Sequence, residues 1–76
     1  MLNTMELKNK RILSEEEKAI IEVIKERGEL TFEELKNHVK IDKPRLRVII
    51  AEMLRKGLLV KVPNFERGKF VYRVSK

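Results

Sequence analysis

The side chains with the clearest chemical role are the cations of the second half of the chain. Residues 43–76 carry ten Lys or Arg against two Glu, whereas residues 1–42 have a net charge of −2, and the whole chain has a net charge of +6. Lysine and arginine donate charge-assisted hydrogen bonds to phosphate and carboxylate oxygens. The positive half therefore favours binding to a polyanion such as duplex DNA.

Side chains suited to catalysis or to metal binding are few. The chain has no Cys and a single His, His38, so it lacks the pairs of Cys or His that form most metal sites. Glu15, Glu16 and Glu17 stand at a predicted helix start, where carboxylates stabilise the helix. No Ser/His/Asp set and no glycine-rich phosphate loop occurs. We therefore expect no enzymatic activity, no cofactor and no metal, with His38 a partly exposed surface residue.

Composition places the chain among small, highly charged domains. Its 76 residues suffice for one domain with a small core. No apolar run approaches the roughly 20 residues that span a membrane, so we expect a soluble, cytoplasmic protein. Charged residues make up 39% of the chain, Glu outnumbers Asp 11 to 1, and Gln does not occur. This pattern is typical of hyperthermophilic proteins and predicts a thermophilic source.

Two similar tetrapeptides mark helix starts in the first half of the chain. Ser14-Glu15-Glu16-Glu17 and Thr31-Phe32-Glu33-Glu34 both have capping-box spacing, in which the hydroxyl and the last carboxylate each accept from a free backbone N–H. Apolar side chains at helical spacing follow each start, and Gly28 is expected to end the first helix in a left-handed conformation. The predicted elements are a helix over 15–27, a short edge strand at 29–31 and a helix over 32–39.

The strongest helical periodicity lies in the middle of the chain. Leu46, Ile49, Ile50, Met53 and Leu54 recur at helical spacing and predict a helix over 43–56 with one buried face. Asp42 is a good N-cap, Pro44 fits a first turn, and Gly57 is expected to close this helix.

A β-hairpin is predicted after the third helix. Residues 58–62 and 70–74 have the composition of strands, and residues 63–69 are rich in turn formers. Phe70, Tyr72 and Val74 should share one face of the second strand. The predicted fold class is α+β, with three helices followed by a two-stranded hairpin.

This order of elements resembles the winged helix-turn-helix superfamily. The resemblance is carried by residues 30–35 and 44–54, and by Arg55-Lys56-Gly57-Leu58-Leu59, which is similar to the junction between recognition helix and wing. Residues 62–74 resemble the wing of MarR-like regulators, although the long helices that form the MarR-like dimer have no counterpart. The resemblance covers residues 14–76. It implies that the third helix enters the DNA major groove and that the hairpin, called the wing, lies against the backbone or the minor groove.

The phase of the third helix defines which of its side chains face outward. A step of about 100° per residue from the inward Leu46 places Val48 and Ala51 on the outer face, with Arg45 and Arg47 on its flanks. Arginine forms bidentate bonds with guanine, and small apolar side chains can approach a thymine methyl. Pro44, Glu52 and Arg55 also point outward on this phase. A solvated, charged helix face is the alternative interpretation.

Three further side chains have two interpretations each. Glu52 either accepts a hydrogen bond from cytosine or pairs with a cation of its own helix. Phe65 either folds back on the hairpin or contacts a groove or a second protein. Arg67, like other wing cations, either binds phosphate or discourages edge pairing of the hairpin. The predicted DNA contacts are Lys43, Arg45, Arg47, Val48, Ala51, Glu52, Arg55, Lys61, Arg67 and Lys69.

The function predicted from these residues is that of a small DNA-binding transcriptional regulator, associated with the nucleoid, from a thermophilic archaeon or its virus or plasmid. Specific binding by so small a module requires two copies on adjacent half-sites, so a homodimer is expected. The alternative is a protein-interaction module within a transcription, replication or repair complex, because the fold serves both roles. Residues 1–13 form either a flexible arm or part of a dimer interface.

Binding to duplex DNA should depend strongly on salt. Neutralisation of about 4–5 phosphates per protomer predicts a slope of about −4 in a plot of log K against log salt concentration. Gel-shift titrations of random duplex at several salt concentrations measure this slope, and the absence of binding at low salt would contradict the DNA-binding hypothesis.

Overall fold

Three helices and a two-stranded hairpin make up the part of the chain that the structure describes. This structure is a computed structural model, and it describes residues 13–75. The predicted arm therefore lies outside the described residues, apart from Leu13. The elements are α1 (Glu15–Arg27), α2 (Phe32–His38), α3 (Lys43–Lys56), β1 (Leu59–Asn64) and β2 (Lys69–Val74).

A single residue between the first two helices pairs with the outer edge of the hairpin. β1 and β2 pair antiparallel, with Leu59 opposite Val74 and Asn64 opposite Lys69. Leu30 forms an isolated antiparallel bridge with Tyr72 of β2 through two backbone hydrogen bonds. The predicted edge strand is thus one residue long, and the whole is the predicted α+β winged-helix arrangement.

Both predicted capping boxes are present. The Ser14 hydroxyl accepts from the Glu17 N–H at 3.0 Å, and the Glu17 carboxylate accepts from the Ser14 N–H at 3.0 Å. Thr31 and Glu34 repeat the pattern at 3.1 and 2.9 Å. The hydroxyl and carboxylate at each start satisfy backbone donors that have no partner within the helix, which explains why α1 and α2 begin where predicted.

The residues predicted to begin or end helices differ in how far they match the prediction. Gly57 has φ 81° and ψ 17°, the left-handed conformation expected of a closing glycine. Gly28 has φ 88° and ψ −141°, so it needs glycine but does not adopt the predicted left-handed helical conformation. Asp42 occupies the N-cap position of α3, but its side chain makes no capping hydrogen bond. Asp42 is thus the N-cap residue, as predicted, but its carboxylate does not cap the helix.

The core lies between the three helices and the base of the hairpin. From α3 it receives Leu46, Ile49, Ile50 and Met53, all buried, as the periodicity predicted. Leu54, expected in the same stripe, is only half-buried. The other buried apolar side chains are Ile20, Ile24, Leu30, Leu35, Val39, Ile41, Leu59 and Val71. None of the helices within residues 13–75 is long and apolar enough to cross a membrane.

The strands are longer, and the turn between them shorter, than predicted. β1 continues through Pro63, which is paired with Phe70, and the turn is confined to residues 65–68. Proline is tolerated there because β1 is an edge strand and its outer edge needs no N–H donor. The Asn64 side chain accepts from the Arg67 N–H at 3.0 Å and the Asn64 carbonyl accepts from the Gly68 N–H at 2.8 Å, which closes the turn.

Substitutions on the two faces of α3 should differ in their effect on stability. Ile49→Ala removes a buried side chain and should lower the free energy of unfolding by roughly 2–5 kcal/mol. Val48 is 53% exposed, so Val48→Ala should change the free energy of unfolding by less than about 0.5 kcal/mol. Urea unfolding followed by circular dichroism measures both. The reverse order of effects would mean that the assigned helix phase is wrong.

Candidate nucleic-acid interface

Two cations on one side of α3 are bound to carboxylates of α1. The Arg45 guanidinium donates to both carboxylate oxygens of Glu16, at 2.8 and 3.3 Å. The Lys56 Nζ lies 2.8 Å from Glu17 Oε2, and Glu17 is itself buried. The hydrogen bonds from Arg45 and Lys56 are the main reason that the pKa values of Glu16 and Glu17 lie below their ordinary value. Arg45, predicted to contact a base, is therefore engaged within the domain.

Two further predicted contacts are paired with carboxylates of α2. Arg67, from the turn of the wing, donates to both carboxylate oxygens of Glu34. This bidentate pair, with the capping hydrogen bond from Thr31, holds the pKa of Glu34 at about 2. Lys43 Nζ lies 3.8 Å from a Glu33 oxygen. Arg67 therefore lies against α2, and its predicted contact with phosphate remains a prediction.

The remaining predicted contacts on α3 have no carboxylate partner among residues 13–75. Val48, Ala51 and Arg55 are exposed, as the helix phase predicted. Arg47 is exposed too, and its guanidinium carbon lies 5.2 Å from the ring centroid of Phe32, a distance typical of a cation–π contact. Glu52 is half-buried and pairs with neither Arg45 nor Lys56, because those cations bind α1 instead.

The wing carries exposed cations and exposed aromatic rings. Lys61 and Lys69 are both exposed and form no salt bridge in the described part of the chain. The Lys61 Nζ lies 4.8 Å from the Phe70 ring centroid. Phe70 is 55% exposed and Phe65, at the turn, is 89% exposed. The interpretation that Phe65 folds back on the hairpin was therefore wrong.

A groove separates α3 from the wing. It has a volume of about 470 Å³ and opens to the surface. Burial raises the pKa of the Tyr72 hydroxyl in its wall, and the nearby positive charge of Arg47 opposes that rise. The groove is lined by Phe32, Glu33, Arg47, Ile50, Ala51, Leu54, Lys61 and Tyr72.

No sequence pattern predicted this groove. Leu54 was expected on the buried face of α3, and Phe32 lies on the apolar face of α2, but both are half-buried and line the opening. Their position depends on where the hairpin lies beside α3, and no local pattern encodes that distance. His38 is exposed, as expected. Within residues 13–75 no group of three or more metal-ligating side chains lies together.

A family model described as TFIIE alpha subunit matches residues 7–74. The chain belongs to the TFIIE alpha family. The TFIIE alpha domain is a transcription-related winged helix, so the superfamily and the involvement in transcription agree with the sequence analysis. The match does not support the MarR-like subtype. No curated protein and no solved structure shows a significant match to this TFIIE alpha domain.

The Glu34–Arg67 pair should make stability depend on acid pH. The pKa of Glu34 is about 2 in the folded domain against 4.5 ordinarily, so the folded state binds fewer protons than the unfolded state between these values. The stabilisation is complete above about pH 4.5 and is lost as pH falls towards 2. Urea midpoints measured across this range should fall more steeply for the wild type than for Glu34→Gln, which keeps a capping oxygen but has no charge.

Arg67→Ala is the matched control for this prediction. It leaves Glu34 ionisable but removes the main cause of its low pKa, so its midpoint should also fall less steeply than that of the wild type. Identical profiles for all three proteins would contradict the assigned pair.

Proposed function

We propose that this chain is a winged-helix module of a transcription complex, and that it contacts nucleic acid mainly through its wing. Membership of the TFIIE alpha family supports a role as part of an assembly rather than as an independent regulator. The sequence alone favours a DNA-binding regulator over a module of a complex, and this proposal reverses that order. Association with DNA also implies a location at the nucleoid.

The main support for the proposal is that some of the predicted DNA-contacting cations are bound to carboxylates of the domain, whereas others are exposed and form no salt bridge among residues 13–75. Arg45, predicted to contact a base from α3, and Arg67, predicted to contact DNA from the wing, are bound to Glu16 and Glu34. A phosphate or a base would have to displace a carboxylate from each. Glu16 neutralises Arg45 on α3, which weakens the attraction of this face for the DNA backbone.

The wing has the chemistry of a nucleic-acid contact. Lys69 lies near its tip and can bind a phosphate without breaking an ion pair. Phe65 exposes 89% of its surface beside it, so the ring is accessible to a partner. Aromatic rings within a positive surface stack on unpaired bases, and transcription requires DNA strands to separate. The tip of the wing therefore suits the edge of an opened duplex.

Sequence reading by α3 is the second candidate function. It is favoured by Arg47, Val48, Ala51 and Arg55, which form an exposed strip suited to base edges. This candidate also requires the predicted homodimer, because one helix contacts few base pairs. The paired state of Arg45 counts against it.

Substitutions on the wing should weaken nucleic-acid binding irrespective of sequence. Lys69→Ala should weaken binding to all duplexes alike. It should also reduce the slope of log K against log salt concentration by about one unit, because one phosphate contact is lost. Phe65→Ala should weaken binding to a forked duplex with unpaired bases by about 1–3 kcal/mol and leave intact duplex nearly unaffected. Fluorescence anisotropy measures both, and Lys25→Ala, an exposed cation on α1, is the matched control.

Two results would reject the wing as the main contact. One is a Lys69→Ala variant that binds all duplexes as the wild type does. The other is an Arg47→Ala variant that loses affinity for selected duplex sequences by about 1–3 kcal/mol while random duplex is unaffected, which is the behaviour of a base-reading helix.

A further inference from the structure

We propose that the groove between α2, α3 and the wing is the docking site for an acidic segment of a partner protein that inserts one large apolar side chain. The inference rests on the proposed role in a transcription complex and assigns the chemistry of the protein contact. Nucleic-acid binding by the tip of the wing is a separate contact.

The floor of the groove is apolar and has room for a side chain. Phe32, Leu54 and Tyr72 are half-buried there, and Ile50 is buried beneath them. Ala51 contributes only a methyl group, which leaves space at the centre. The volume of about 470 Å³ lies within the range of about 300–1,000 Å³ that is usual for ligand pockets. Insertion of a Phe or Leu side chain would cover this apolar surface.

The rim of the groove is positive. Arg47 and Lys61 stand on opposite walls, and neither has a carboxylate partner among residues 13–75. Each is held over an aromatic ring, Arg47 over Phe32 and Lys61 over Phe70. Cations that are already positioned lose little freedom on binding. Partner carboxylates on either side of the inserted side chain would therefore meet a cation on each wall.

The combination of floor and rim distinguishes a protein segment from duplex DNA. Duplex phosphates could neutralise Arg47 and Lys61, but they would leave the apolar floor between them without a partner. An acidic segment with one Phe or Leu would place its carboxylates against the two cations and its apolar side chain against the floor. Glu33, also in the wall, lies beside Lys43, which reduces its repulsion of an incoming carboxylate.

A labelled synthetic peptide tests this assignment. The probe is a short fluorescein-labelled peptide of Asp and Glu residues with one Phe and one Leu, and its binding to the whole chain is followed by fluorescence anisotropy at low salt. Two matched peptides replace the acidic residues by Lys, or the Phe and Leu by Ser. The acidic apolar peptide should bind at least about tenfold more tightly than either matched peptide. Equal binding of all three would overturn the proposal.

Substitutions in the groove locate the contact. Ala51→Glu fills the centre of the groove and places a carboxylate one helical turn from Arg47. Arg47→Glu reverses the charge at the rim. Each substitution should weaken binding of the acidic apolar peptide by about tenfold. Both positions are exposed, so the fold should persist, which circular dichroism checks. Lys25→Glu makes the same kind of charge change on exposed α1 and should weaken binding by less than about twofold.

The remaining outcomes separate this inference from the proposed function. If Ala51→Glu binds the peptide as tightly as the wild type does, the groove is not the docking site, whatever Lys69→Ala does to nucleic-acid binding. If an unlabelled single-stranded oligonucleotide displaces the peptide and also loses affinity in Ala51→Glu, the groove binds nucleic acid and the proposal is wrong. Loss of duplex binding in Lys69→Ala with peptide binding intact would support both.

Discussion

Two carboxylates, Glu17 and Glu34, connect the elements of this domain. Each uses one oxygen to accept the backbone N–H at the start of its own helix. Each also binds a cation from a distant element, Lys56 at the end of α3 and Arg67 at the turn of the wing. A helix start and a tertiary contact thus depend on the same side chain. The orientation of α3 and of the wing relative to the first two helices is coupled to the caps of those helices.

This coupling decides which cations remain available to a partner. The carboxylates of α1 and α2 neutralise Arg45, Lys56 and Arg67, so a formal charge of +8 in the second half overstates the field that a ligand meets. Arg47 and Lys61 at the groove and Lys69 on the wing form no salt bridge among residues 13–75. Basic residues that look alike in the sequence thus differ in the structure: some form ion pairs within the domain, and others remain without a carboxylate partner among residues 13–75.

Sequence patterns predicted the features that depend on near neighbours. The capping boxes, the bounds of α1 and α3 and the closing Gly57 follow from residues within about one helical turn, and they were confirmed. Contacts between distant residues were not predicted. Arg45 and Glu16 are 29 positions apart, and Arg67 and Glu34 are 33 apart, so no local period relates them. The exposure of Phe65 and the groove itself likewise depend on where the hairpin lies, which the chain specifies only through its tertiary packing.

The wing is fixed to the rest of the domain at both ends. Near its base, Leu30 bonds to Tyr72 through both backbone groups, and at its turn Arg67 is bound to α2. These two contacts oppose a hinge-like motion of the wing from opposite ends. The ion pair at the turn is solvent-exposed, so added salt should weaken it, whereas the backbone bridge near the base should persist. Ionic strength would therefore act on the position of the turn more than on the position of the base.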